Sequence, residues 1–242
     1  MARDWAMGKV GGGSAVLWIC SFLIVAGFNP PVVRAETGVK PLVEDVGTIA
    51  PAEAVHRFSG QAGDTVTIQL DSQSFDPILS LRNSAQEEIA TNDDFGGSLS
   101  ATIIIKLPAT DTYTVVSRSF AGNGGDYRLL VRPATDYEVL YAQAEALTTN
   151  QQYPEAISTY TEAINRDPEK IPAYLGRIEA QLTQVSNDPS LRINQPTDIP
   201  LAVRQAVIAD LEKVASLIEV KGSTEWAASL RQQAEVLRNG NP

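Results

Sequence analysis

The sequence nearly lacks the two side chains that most often hold metals or act in nucleophilic catalysis. Cys20 and His56 are the only cysteine and the only histidine among 242 residues. A zinc site usually draws on several such residues, and a Ser-His-Asp triad would have to use His56. His56 precedes Phe58 by two positions in a predicted strand, where packing is its expected role. We therefore expect no catalytic residues and a protein that is not an enzyme.

Positive charge is also scarce. The chain has 19 Lys and Arg residues against 29 Asp and Glu residues, which gives a formal net charge of −10. Nucleic-acid binding needs lysine and arginine to neutralise phosphates, and anionic membrane surfaces attract basic segments. The composition therefore argues against both kinds of partner.

Residues 1–35 have the pattern of a signal peptide. Arg3 and Lys9 precede a short apolar stretch at 15–28, and the small residue Ala35 provides a cleavage site. The stretch is shorter than the roughly 20 apolar residues of a membrane span. We expect an exported protein, periplasmic or secreted, without a membrane anchor after cleavage. Cleavage would remove Cys20 with the leader. An uncleaved membrane anchor is the alternative interpretation.

The rest of the chain divides into two parts with different hydrophobic periods. Between 36 and 133, apolar residues alternate with polar ones, as at Val66, Ile68 and Leu70, and turn sequences separate the runs. This pattern predicts short half-buried strands in a sandwich or jelly roll. From 134 to 242 the period becomes helical, beginning with a capping-box pattern at Thr135 and Glu138. The predicted fold is therefore multidomain, all-β followed by all-α.

Motifs in the strand-rich part resemble the bacterial pre-peptidase C-terminal domain. They occur in the family's order, and the clearest are Ala62-Gly63-Asp64-Thr65-Val66, Phe75-Asp76-Pro77-Ile78-Leu79, Ala90-Thr91-Asn92-Asp93-Asp94 and Leu107-Pro108-Ala109-Thr110-Asp111. The resemblance implies a jelly-roll-like β-sandwich. It also implies a module that usually accompanies secreted hydrolases without being their catalytic unit.

The helical part resembles a short array of tetratricopeptide repeats. Residues at the family's signature positions are Tyr137, Ala144, Ala156, Tyr160, Ala163 and Pro168. The resemblance implies a first repeat at 137–170 and a second at 171–220, interrupted by a loop at 186–200. A last helix at 223–238 is expected to cap the array.

In tetratricopeptide arrays the first helix of each repeat lines a concave groove. By position, the resemblance assigns to this groove Glu138, Tyr141, Glu145, Leu175, Glu179 and Leu182. Carboxylates beside aromatic and aliphatic side chains would suit a basic, partly apolar peptide, because opposite charges speed association. The alternative is a solvated acidic face that binds nothing.

An acidic turn in the strand-rich part offers a second candidate site. Calcium is bound by oxygen ligands on flexible loops, and such ligands could converge from Asp76, Asn92, Asp93 and Asp94. The alternative is that these residues close turns by bonding their own backbone. Calcium is the only cofactor that the sequence suggests.

These observations favour an exported, non-catalytic adaptor or scaffold. Its helices would bind a protein or peptide, and the sandwich would serve as an accessory module. Two alternatives stay open: a calcium- or carbohydrate-binding sandwich protein, and an accessory to a secreted protease.

Overall fold

The structure is a computed structural model that describes residues 40–49, 53–93 and 100–240. The predicted signal peptide at 1–35 lies outside the described residues, and so does Asp94. Within the described ranges the chain forms eight strands followed by five α-helices. The strands are β1 (Val43–Ile49), β2 (Ala54–Gly60), β3 (Thr65–Ser72), β4 (Pro77–Arg82), β5 (Glu88–Asn92), β6 (Ala101–Lys106), β7 (Asp111–Ser119) and β8 (Gly125–Pro133).

The strands form two four-stranded sheets, ordered β1-β8-β3-β6 and β2-β7-β4-β5. The described strand pairings are antiparallel. The β4–β5 connection stays within one sheet, whereas the other consecutive pairs of described strands belong to different sheets. The apolar faces of the two sheets share one core. The predicted β-sandwich is therefore confirmed.

Alternating apolar residues explain why the strands form and which face they bury. Ile68 and Leu70 on β3, Leu79 and Leu81 on β4, and Val115 on β7 are completely buried. Side chains two positions apart on a strand point to the same face, so these residues meet between the sheets. Each such burial contributes about 1.5–3 kcal/mol relative to an exposed side chain.

Strand β1 departs from this pattern and was not anticipated. Asp45 and Gly47 occupy its inward-facing positions, while Val46 points outward and is 72% exposed. The ring of Tyr127 on β8 covers Gly47, and a Cβ there would come within 3.0 Å of the tyrosine hydroxyl. At Gly47, aromatic packing thus replaces the aliphatic contacts of the other strands, whereas Val43 and Ile49 near the ends of β1 still pack on the core.

The five helices lie where the helical period predicts them. They are α1 (Asp136–Thr149), α2 (Tyr153–Arg166), α3 (Ile171–Ser186), α4 (Leu201–Val220) and α5 (Thr224–Asn239). Thr135 and Glu138 form the predicted capping box at the start of α1, and a proline lies in the first turn of both α2 and α3.

Consecutive helices pack against one another from α1 to α5 and share a second core. Tyr160, Ile178 and Leu211 are completely buried there. The predicted loop between α3 and α4 contains a short 3-10 turn, Pro196–Asp198, and contributes the buried residue Ile199 to this core.

Among the described residues, no helix combines the length and the apolar character needed to cross a bilayer.

Candidate functional site

An ion pair joins the end of the sandwich to the first helix. The guanidinium of Arg132 on β8 donates to both carboxylate oxygens of Glu138 on α1, at 2.7 Å each. Oε2 of Glu138 also accepts from the backbone N–H of Thr135 at 2.8 Å and from the hydroxyl of Thr67 on β3 at 2.9 Å. One carboxylate therefore connects two strands and a helix.

The environment of Glu138 stabilises its charge. Burial by itself would raise the pKa of this carboxyl, but the bonds from Arg132, Thr135 and Thr67 outweigh it and the pKa is lowered. Glu138 is only 9% exposed. Its carboxylate is thus buried and hydrogen-bonded at the junction and does not line an exposed groove. The repeat pattern had assigned Glu138 to that groove.

The other predicted groove residues fall into two groups. Leu182 is completely buried in the helical core, so it supports the surface without lining it. Tyr141 and Leu175 are half-buried, and Glu145 and Glu179 are exposed. These last four residues, from α1 and α3, are called the α1/α3 surface below.

Tyrosines organise the α1/α3 surface. The hydroxyl of Tyr160 on α2 donates to Oε1 of Glu145 at 2.5 Å, and the ring of Tyr141 lies 6.1 Å from that of Tyr160. Burial and the nearby negative charge of Glu145 raise the pKa of Tyr160. Its phenol therefore stays protonated and keeps donating to Glu145.

Glu179 brings a second carboxylate to the same surface. Partial burial and the neighbouring charge of Glu145 raise its pKa above the ordinary value. Within the described residues no lysine or arginine forms a salt bridge with either carboxylate. A cation placed between the two would relieve their mutual repulsion.

A second buried ion pair stabilises the helical part. Arg177 on α3 donates to Asp210 on α4 through Nε at 2.9 Å and through Nη2 at 2.6 Å, and its Nη1 donates to Thr161 on α2 at 2.8 Å. Burial outweighs the effect of Arg177 and raises the pKa of Asp210. This pair has no local signal in the sequence, because its members lie 33 residues apart.

The described members of the predicted calcium site lie at one end of a sheet. Asp76 immediately precedes β4, and Asn92 ends the adjacent antiparallel strand β5. The side-chain oxygen of Asn92 accepts from the backbone N–H of Thr102 at 3.0 Å, and Asp93 is exposed. Within the described ranges no three His, Cys, Asp or Glu residues are grouped as a metal site would require.

His56 belongs to a hydrogen-bonded cluster that spans both sheets. Its Nε2 lies 3.1 Å from the hydroxyl of Tyr127 on β8 and 3.4 Å from Oδ2 of Asp45 on β1. Tyr127 in turn donates to Asp45 at 2.9 Å. Burial, followed by the bond and charge of Asp45, raises the pKa of Tyr127 to about 12. The phenol is therefore neutral near pH 7, and the cluster links strands.

These features define a β-sandwich module that is fastened to a helical domain. The family model of the bacterial pre-peptidase C-terminal domain matches residues 52–119. That match confirms the predicted domain over this segment, and such a domain fits an accessory module. No curated protein matches the sequence of this chain.

Similar solved structures include three bacterial proteins. The pre-peptidase C-terminal domain of a Bacillus anthracis collagenase is 14% identical, with 38% of this chain and 89% of that one covered and a TM-score of 0.33. PliG, a periplasmic inhibitor of g-type lysozyme from Aeromonas hydrophila, is 18% identical, with 45% and 100% covered and a TM-score of 0.34. The lipase BlEst2 of Bacillus licheniformis, in its propeptide form, is 15% identical, with 46% and 27% covered and a TM-score of 0.28.

Proposed function

We propose that this chain is an exported, non-catalytic adaptor whose helical part binds a protein or peptide through the α1/α3 surface. The observation that carries the proposal is the neighbouring pair Glu145 and Glu179. Glu145 accepts from the hydroxyl of Tyr160 and lies close to Tyr141. In this proposal α1 and α2 form one tetratricopeptide-like repeat, α3 and α4 form a second that is interrupted by the loop between them, and α5 is the cap.

The chemistry of the surface favours a basic segment of a partner. Burial and, after it, repulsion from Glu145 raise the pKa of Glu179, and a lysine or arginine side chain between the two carboxylates would offset that repulsion. Tyr141 and Leu175 would contact the aliphatic part of such a side chain, since long basic residues pack their methylene groups against apolar surface.

The sandwich would act as the accessory module that holds this surface in place. The bonds of Glu138 to Arg132 and Thr67 fix the first turn of α1 to β8 and β3. A binding surface on a fixed helix loses less conformational freedom on association than a mobile one.

The test is crosslinking in the native compartment, followed by identification of the captured protein. The variant Glu145→Gln with Glu179→Gln removes two charges from the surface, and Glu162→Gln with Glu225→Gln removes two from exposed positions elsewhere. We expect the first pair to abolish a specific crosslink that the second pair leaves intact. Equal crosslinking by both variants would refute the adaptor proposal.

A calcium-binding role for the sandwich is the second candidate. One observation favours it: Oδ1 of Asp76 is buried and has no hydrogen-bond partner among the described residues. Unpaired buried oxygens are rare in native proteins, and a cation would satisfy this one. Thermal unfolding at millimolar calcium and with chelator tests the idea. An unchanged midpoint would eliminate it.

A further inference from the structure

The chain contains two asparagine–glycine pairs, Asn123-Gly124 and Asn239-Gly240, in opposite surroundings. An asparagine before a glycine is prone to deamidation, because the glycine has no side chain to hinder the reaction and its backbone moves freely. The attacking atom is the backbone nitrogen of the glycine, and the atom attacked is the side-chain carbonyl carbon of the asparagine. Restraint of these two groups by the fold therefore decides which pair reacts.

Asn123 lies in the loop between β7 and β8, where little restrains it. Its side chain is exposed, and no described residue accepts a hydrogen bond from its amide or from the N–H of Gly124. Gly122, Gly124 and Gly125 have φ angles of 72°, 66° and 143°, a region that glycine enters without strain. Gly124 is buried, but its nitrogen has to reach only the side chain of the preceding residue. Exposed loops with few bonds open locally at little cost in free energy.

Asn239, in contrast, is held at the end of α5. Its side-chain amide donates to Oε2 of Glu235 at 2.9 Å, and the N–H of Gly240 donates to the carbonyl of Val236 at 2.8 Å. A Cβ on Gly240 would lie 2.6 Å from Cγ2 of Thr197, so this glycine packs closely against the loop before α4. The nitrogen that would attack is bonded within the helix, and the last turn has to open before it is free.

We propose that Asn123 is a site of spontaneous deamidation in the folded protein, whereas the end of α5 protects Asn239. The nitrogen of Gly124 forms a bond to the side-chain carbonyl carbon of Asn123. The side-chain nitrogen leaves as ammonia and takes with it the proton of the Gly124 nitrogen. Water then opens the cyclic imide at one of its two carbonyl carbons, which gives aspartate or isoaspartate. The reaction consumes water alone and is neither an oxidation nor a reduction.

Either product changes the end of the sandwich where β8 begins. Both add a negative charge, and isoaspartate also lengthens the backbone by one carbon directly before Gly125. Gly125 pairs with Ile49 in the ladder of β1 and β8, and a Cβ on it would lie 2.4 Å from Cβ of Ser74. The extra backbone atom therefore enters next to a closely packed strand end. This site is independent of the proposed adaptor function.

The test incubates the full-length protein, as recovered from the expressing cell, in neutral buffer. Peptide mass spectrometry follows both asparagines, and an isoaspartate-specific methyltransferase labels the isoaspartate product. We expect conversion at Asn123 to be at least about tenfold faster than at Asn239, because the helix end first has to break two hydrogen bonds. Asn123→Gln should abolish the conversion at this position, since the longer side chain would have to close a larger ring, and should leave Asn239 unchanged.

Incubation in concentrated urea is the matched control. Unfolding removes the hydrogen bonds of α5, so the two asparagine–glycine pairs should then react at similar rates. The proposal is overturned if Asn123 is not converted in the folded protein or if Asn239 is converted as fast. It is also overturned if the difference between the two positions persists unchanged in urea, because the neighbouring sequence and not the fold would then set the rates.

Discussion

Arg132 and Glu138 form a two-pronged ion pair where the last strand of the sandwich meets the first helix, with both N–O distances at 2.7 Å. Both side chains are nearly buried, at 12% and 11% exposure. Replacing Glu138 by glutamine removes the carboxylate charge to which the buried Arg132 guanidinium donates. Loss of one member of a buried pair typically costs 3–5 kcal/mol, so Glu138→Gln should lower the unfolding free energy by about 3 kcal/mol. Urea unfolding of the full-length protein measures this difference.

The matched control for that variant is Glu44→Gln. Glu44 pairs with Arg128 on the sandwich surface, and its side chain is 49% exposed. Exposed pairs contribute little because water screens them. If Glu138→Gln lowers the unfolding free energy no more than Glu44→Gln does, the junction pair does not stabilise the fold.

Stability should depend on pH through the same carboxyl. The pKa of Glu138 is lowered in the folded chain from its ordinary value of 4.5. A carboxyl with a lowered folded pKa stabilises the fold fully above its ordinary pKa, and this stabilisation is lost as the pH falls through the folded value. The difference in unfolding free energy between the wild type and Glu138→Gln should therefore be constant near neutral pH and shrink below about 4.5. A difference that grows on acidification would contradict this assignment.

Close helix packing depends on Gly176. A Cβ at this position of α3 would lie 2.5 Å from Cζ of Tyr160. Tyr160 is completely buried and bonded to Glu145, so its ring has little room to move. Alanine normally stabilises a helix relative to glycine by up to about 1 kcal/mol. Here we expect Gly176→Ala to destabilise the protein by about 1–3 kcal/mol, as overpacking does.

The background variant Tyr160→Leu separates this clash from other effects. If the tyrosine ring causes the penalty, Gly176→Ala should cost less in that background than in the wild type. Thermal and urea unfolding of the four proteins give the coupling between the two positions. Additive effects would show that the ring is not the cause.

Replacing one member of the buried pair Arg177 and Asp210 should destabilise the protein more than replacing both. Asp210→Ala leaves the guanidinium with Thr161 as its remaining described side-chain hydrogen-bond partner, and we expect a loss of about 3–5 kcal/mol. Replacing both members, as Arg177→Met with Asp210→Leu, should recover most of that loss, since apolar residues of similar volume need no pairing. A double variant as unstable as Asp210→Ala would show that the pair itself stabilises the helices.

The fold was predictable wherever local chemistry decides it. The strands with apolar residues on alternate positions and the helix starting at Thr135 lie as expected. Strand β1 escaped prediction because Asp45 and Gly47 occupy its two central inward positions. Tyr127, which is distant in sequence, covers Gly47 and donates to Asp45. Pairing across the fold has no signature in the local sequence.

The candidate sites were less predictable for the same reason. Glu145 and Glu179, which the repeat pattern assigns to one groove, lie close enough for their charges to interact. The repeat pattern does not predict that the Glu138 carboxylate accepts hydrogen bonds from Arg132 and Thr67, because both residues belong to the sandwich.

Strand β8 lies between β1 and β3 and continues almost directly into α1. Its antiparallel hydrogen bonds run perpendicular to the strand. A force that pulls the helical part away from the sandwich would therefore act along β8. The hydrogen bonds of β8 to β1 and β3 would resist that force in shear. Glu138 passes part of the same load to Thr67 on β3. The junction is thus arranged so that tension between the helical part and the sandwich is shared among hydrogen bonds on both sides of β8.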